Sequence, residues 1–241
     1  MTYCVALRLN RGLVFAADTR TSAGNDNVAV FRKLHCWRRP GERVIVLASA
    51  GNLAVTQSVT SLLNEQLIEE LSPAAENLLT VPSLYRAARL VGEAMRSVRS
   101  IDGPALEQTN SGFNASFILG GQIGSEHPRL FQIYPEGNFI EATDDTPFFQ
   151  IGEHKYGKPI LDRALAYETD LRVAAKLALL SMDSTLRSNL AVGMPLDLAV
   201  IEKDAFKVGL QRRIEPGDAQ FRKMSEAWSN ALRESFASIH I

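Results

Sequence analysis

The chain has 241 residues, 46% of them hydrophobic, enough to bury a sizeable core and too apolar for a disordered polypeptide. Its 26 basic and 27 acidic side chains leave a formal charge of -1, which excludes a global field directed at nucleic acid or an anionic membrane. The single basic run of note is Arg32, Lys33, Arg38 and Arg39, and the two cysteines, Cys4 and Cys36, rule out a disulfide framework.

Arg8, Asn10, Arg11 and Asp18 interrupt the apolar residues near the N-terminus, so no signal peptide is expected. No later stretch reaches the roughly 18 apolar residues of a membrane span. The expected location is the cytoplasm.

Residues 3–9 and 12–17 read as strands joined at Asn10-Arg11-Gly12, where Asn and Gly supply the positive φ of a tight hairpin. Val28–Trp37 and Arg43–Ala50 read as a second strand pair around Arg39-Pro40-Gly41-Glu42. The period then changes. Leu53, Val59, Leu62, Leu63, Leu67 and Leu71 predict a helix after the N-cap residue Asn52, stopped by Ser72-Pro73. Leu84, Ala87, Ala88, Val91, Met95, Val98 and Ile101 predict another, ended by Asp102-Gly103-Pro104.

Strands are expected again at Ala115–Leu119, Arg129–Tyr134, Asn138–Ala142 and Phe148–Ile151, with Gly120 to Gly124 reading as a strand ending in a turn. Helices follow around Pro159–Tyr167 and Leu171–Leu186, then strands near Asp197–Glu202 and Ala205–Leu210. This order predicts an α+β fold in which two sheets pack face to face with a helix pair on each outer side, a four-layer αββα sandwich. No linker divides the chain, so residues 1–241 are expected to form one domain, with 213–241 as a C-terminal helical extension. Within it Phe221, Met224, Trp228, Leu232 and Phe236 make an apolar stripe at spacings of 3, 4, 4 and 4, suited to packing on its own domain or on a neighbouring subunit.

Hydrolase elbows, zinc motifs, phosphate loops and C-x-x-C pairs are all missing, and four isolated histidines, His35 and His154 among them, give no metal-ligand spacing. No metal or cofactor is expected. Met1-Thr2 remains. Threonine is small enough to permit removal of Met1, leaving a free α-amine, of reference pKa about 7.7–8, beside a hydroxyl. One residue can then supply both general base and nucleophile.

The segment Ala17-Asp18-Thr19-Arg20-Thr21-Ser22-Ala23-Gly24, Lys33 fifteen residues after Asp18, and Ser49-Ala50-Gly51 resemble proteasome β-type subunits in order and spacing. Three further blocks resemble Anbu, the ancestral β-subunit family of bacterial proteasome homologues. They are Thr2 to Leu7, Phe15 to Thr21, and Ile151-Gly152-Glu153-His154-Lys155-Tyr156-Gly157-Lys158-Pro159-Ile160-Leu161-Asp162-Arg163. The resemblance spans essentially the whole chain.

It implies an N-terminal nucleophile (Ntn) hydrolase fold, cleavage of peptide bonds in unfolded proteins or peptides, and homo-oligomers as rings or open helical turns. By position, Thr2 is the nucleophile, Lys33 lowers the pKa of its hydroxyl, Asp18 orients Lys33, and the Gly51 N–H binds the oxyanion. Thr21 and Ser22 match the segment that pairs with an extended substrate. Asp183 and Ser188 match the auxiliary group near the terminal amine. Glu153 stands where a serine often follows the glycine matching Gly152, and its carboxylate would favour a protonated amine. Two alternatives use the same residues: a specialised amidase or isopeptidase, and a scaffold that keeps the fold with little catalysis. Whether an ATPase feeds the assembly lies beyond the sequence.

Overall fold

The computed structural model describes residues 2–22, 28–68, 76–108 and 112–240. Met1, Ala23, Gly24, Leu71 and the stop expected at Ser72-Pro73 lie outside them.

β1 (Tyr3–Leu9) and β2 (Gly12–Asp18) form the expected hairpin, in register from Cys4↔Ala17 to Leu9↔Gly12. Strand side chains alternate between faces, and here both faces are covered. Tyr3, Val5, Leu7 and Val14 point to one apolar cluster, while Cys4, Ala6, Leu13 and Phe15 point to another. On one side β10 (Phe148–Gly152) flanks the hairpin; on the other lie β11 (Leu196–Glu202) and β12 (Leu210–Ile214), giving the antiparallel order β10-β1-β2-β11-β12. The second sheet runs β5 (Leu34–Arg39), β6 (Arg43–Gly51), β7 (Ala115–Ile123), β8 (Arg129–Ile133) and β9 (Phe139–Glu141). A short pair, β3 (Arg20–Ser22) with β4 (Val28–Val30), stands apart from both.

The sheets meet through Cys4, Ala6 and Phe15 on one side and Val44, Val46, Ile118 and Leu130 on the other. The helices α1 (Leu53–Glu65) and α2 (Leu84–Gln108) cover the outer face of the second sheet, and α3 (Lys158–Ala164) and α4 (Leu171–Ser188) that of the first. The result is the four-layer αββα sandwich. None of the described helices is long and apolar enough to cross a membrane.

Five local expectations need correction. α1 stops at Glu65, short of the expected Leu67, because the Leu67 and Ile68 N–H groups turn to the Asn64 and Glu65 carbonyls at 3.0 Å each. Val28–Trp37 is not one strand: β4 pairs with β3, Phe31 N–H turns to the Thr19 carbonyl at 2.9 Å, and β5 then enters the second sheet. α2 does not end before Pro104 but carries it inside, because Leu106 packs against the outer core and holds the last turn. β7 continues through Gly120 and Gly121 to Ile123, paired with β6 along its whole length. The last strand begins at Leu210, beyond the expected Ala205. The buried Gln122 amide bonds Asp204 at both ends, 2.6 and 2.7 Å, and holds a turn in which Asp204 and Phe206 take φ of 64° and 49°.

The C-terminal helix α5 (Ala219–Ser238) starts at its N-cap Asp218, which accepts the Phe221 N–H at 2.8 Å. Its first turns lie on the chain's own α4, with Arg187 donating to Ser225 Oγ at 2.7 Å. Farther along, Leu232 and Phe236 face solvent, at 50% and 81% exposure. The stripe therefore packs on its own domain only over its first half.

Phe15 is fully buried between the sheets. Phe15→Ala is expected to cost about 3–5 kcal/mol, read as a lower urea midpoint at unchanged m-value; a loss near zero would mean that the inter-sheet core is not what holds the layers.

Candidate active site

Thr2 sits at the open end of the hairpin, where β10 clamps its backbone. Its carbonyl accepts the Glu153 N–H at 2.7 Å. Gly152, at φ 81°, lies so close that a Cβ there would stand 2.0 Å from the Thr2 oxygen, so only glycine fits. Tyr3 anchors the next position. Its N–H donates to Asp18 Oδ1 at 3.0 Å, and its phenol is bonded to Ser181 of α4 and Gln150 of β10, each at 2.5 Å. Burial, partly offset by these two bonds, pushes the Tyr3 phenol up to about 12.

Behind Thr2 lies a buried ion pair. Lys33 Nζ donates to Asp18 Oδ1 at 2.7 Å and to the Arg20 carbonyl at 2.6 Å, and the two residues are 4% and 0% exposed. The Gly193 N–H reaches Asp18 Oδ2 at 3.2 Å, and Thr19 Oγ1 donates to the Pro195 carbonyl at 2.7 Å. Burial pushes the Asp18 carboxyl above its ordinary value, against the pull of the Lys33 ammonium and the Tyr3 and Gly193 N–H groups. All three partners are donors, so the ionised carboxylate is the form that they fit.

A cavity of about 640 Å³ opens in front of this pair, and Thr2, Thr21, Ser22, Lys33 and Gly51 all line it. Gly51 ends β6 at φ 113°, where a Cβ would lie 2.1 Å from the Asn114 carbonyl oxygen. Asn52 follows and caps α1, its side chain accepting the Ala54 and Val55 N–H groups, so the positive end of a helix borders the cavity. Arg32 and His35 are on the wall as well. Such a cavity offers a hydroxyl beside a fixed cation and a glycine backbone, the parts needed for attack on a carbonyl.

The three residues expected to be auxiliary do not line it. Glu153 touches Thr2 through its backbone, while its buried carboxylate accepts from Asn189 Nδ2 at 3.0 Å and Lys155 N–H at 3.3 Å. Asp183, buried on α4, pairs with Arg187 at 3.3 Å. Ser188, the last residue of α4, is exposed. Sequence reasoning missed Tyr3, Gln150, Ser181, Gly193 and Asn189. Their partners lie up to 178 residues away, and only the Gly193-Met194-Pro195 turn carries a local signal. Among the described residues no three His, Cys, Asp or Glu side chains gather to hold a metal.

A family model for proteasome subunits matches residues 2–201. The structure of Anbu from Hyphomicrobium sp. strain MC1 is 62% identical, covers all of this chain and 99% of its own, and superposes with a TM-score of 0.92. Anbu (ancestral beta-subunit) from Yersinia bercovieri is 51% identical at a TM-score of 0.93, over 100% of this chain and 98% of its own. A helical assembly of the Anbu complex from Pseudomonas aeruginosa has a subunit 48% identical, with the same coverage and a TM-score of 0.93.

Because Lys33 is buried, Asp18→Asn strands its charge and is expected to lower stability by about 3–5 kcal/mol. Adding Lys33→Met should recover most of that loss, since no charge is then left unpaired. Guanidinium unfolding of the two variants decides it: equal losses would show that the side chains are not coupled.

Proposed function

This chain belongs to the proteasome subunit family, in its Anbu branch, and we propose that it is a threonine-type Ntn hydrolase that cleaves peptide bonds. The observation that carries the reading is the shared cavity of Thr2, Lys33 and Gly51, with Asp18 bonded to Lys33 from behind.

In this mechanism Met1 is removed and the Thr2 α-amine becomes free. It takes the proton of the Thr2 hydroxyl, directly or through a water, as Oγ attacks the substrate carbonyl. Lys33 lowers the pKa of the hydroxyl and disfavours protonation of the amine, while Asp18 keeps Lys33 in place and charged. The Gly51 N–H receives the negative charge that develops on the carbonyl oxygen. The leaving amine takes the proton, and water then releases the acyl group from Thr2. Thr21 and Ser22, on β3, hold the substrate backbone as an added strand. The protein works as a homo-oligomer, a reading supported by the helical assembly of the Pseudomonas aeruginosa relative.

Intact mass before and after treatment with a β-lactone tests the chemistry. Protein lacking Met1 and gaining one adduct on Thr2 is the expected result; full retention of Met1 would sink the mechanism, because the base would be an amide. Thr2→Ala should lower kcat by about 10³-fold or more, and Thr2→Ser should keep measurable turnover.

The pH profile tests the base. kcat/KM should rise with pH as the amine loses its proton and then level off. The Glu153 carboxylate is held by Asn189 and the Lys155 N–H and touches Thr2 only through its backbone, so Glu153→Gln should leave that rise in place. A shift of the rise to lower pH would mean that the carboxylate reaches the ammonium.

A further inference from the structure

The basic run of the sequence is only partly used by the site above. Lys33 belongs to the ion pair, and Arg39 pairs with Glu42 at 3.0 Å. Arg32 and Arg38 are exposed, and among the described residues neither has a carboxylate partner.

Both line a second cavity, of about 520 Å³. It lies between β5, the last strand of one sheet, and β11 and β12, which end the other. The sheets are packed through β1 and β10 over β6 to β8, and at these far edges they leave a wedge. Among the described residues four arginines reach it, Arg32, Arg38, Arg212 and Arg213, and Asp197 is the one acidic residue on its wall. Asp197 is taken bidentately by Arg213 at 2.8 and 2.9 Å, and Arg212 is held by Asp218 at 2.6 Å. Arg32 and Arg38 remain uncompensated in a chain whose overall charge is -1, so the excess is local. Arg32 and His35 also line the Thr2 cavity, so the two spaces share a wall.

We propose that this wedge is a second binding site, beside the Thr2 cavity, that holds an acidic, extended stretch of the substrate polypeptide. The word substrate rests on the hydrolase reading; the acidic-peptide site does not. Guanidinium groups match carboxylates as planar forks, and a sheet-edge strand such as β5 offers main-chain groups to an extended peptide. A nucleic acid fits less well. Base stacking needs an open aromatic face, and Trp37 is 7% exposed with its indole N–H donated to Asn64 at 2.8 Å.

The test uses the full-length Thr2→Ala protein, which binds without turnover, and fluorescein-labelled hexaglutamate and hexaglutamine followed by anisotropy. Hexaglutamate should bind at least tenfold more tightly, lose that advantage as salt rises, and weaken about tenfold in Arg32→Gln/Arg38→Gln while hexaglutamine is unaffected. Arg32→Lys/Arg38→Lys should keep part of the binding. Both arginines are exposed, and circular dichroism of the variants checks their folding. Equal affinity for the two peptides, or hexaglutamate binding unmoved in the double Gln variant, overturns the proposal. An oligothymidylate of equal charge binding more tightly than hexaglutamate overturns it in favour of nucleic acid. An inert wild-type enzyme with charge-dependent hexaglutamate binding would sink the hydrolase and leave the wedge standing; an active one blind to charge would do the reverse.

Discussion

A carboxylate without exposed surface stays ionised only if donors replace the water it has lost, and Asp18 has three of them: Lys33 Nζ and the N–H groups of Tyr3 and Gly193. Each comes from a different part of the chain. Tyr3 opens β1, Lys33 precedes β5 in the opposite sheet, and Gly193 lies in the loop before β11. Satisfying one buried charge therefore ties both sheets and that loop together at a single point. Thr2 is the residue next to that point.

The rest of the site depends on this anchoring. With Tyr3 fixed by its N–H on Asp18 and by its phenol on Ser181 and Gln150, and with Gly152 and Glu153 against its carbonyl, Thr2 has little freedom to leave the cavity wall. In the proposed hydrolase, preorganisation of this kind lets a weak nucleophile act without first being ordered. Lys33 serves twice, as the counter-charge that Asp18 needs and as the cation facing the cavity. The scaffold and the proposed chemistry thus share one ion pair.

Packing also explains the second cavity. The sheets are locked where Phe15 and the small residues Cys4 and Ala6 meet Val46 and Ile118; this contact reaches β5 at the half-buried Leu34, and the wedge lies farther out, along β5 and β12. What fills the gap is arginine, whose long stem covers apolar surface while its charge stays in water. The edge of the sandwich that shares a wall with the Thr2 cavity thereby gathers Arg32, Arg38, Arg212 and Arg213 in a chain whose formal charge is -1.

The sequence by itself determined the hairpin and the layer order, because these rest on local signals: alternation, caps and glycine turns; the grouping of Thr2, Asp18, Lys33 and Gly51 came from the resemblance of their order and spacing to proteasome β-type subunits. Asn52 and Asp218 cap their helices as their residue types require. Only the tertiary structure decided that Val28–Trp37 changes partner midway, that Leu106 carries α2 past Pro104, and that the Gln122–Asp204 bonds delay the last strand to Leu210. It also decided where the remaining groups stand. Gly193, Ser181 and Asn189 reach the site through contacts across 36 to 178 residues, and Glu153 turns its carboxylate to Asn189, away from any group that its neighbours in sequence specify. Such partners are chosen by burial, since a group removed from water must take whatever donor or acceptor the fold brings within reach, and no local pattern records which one that is.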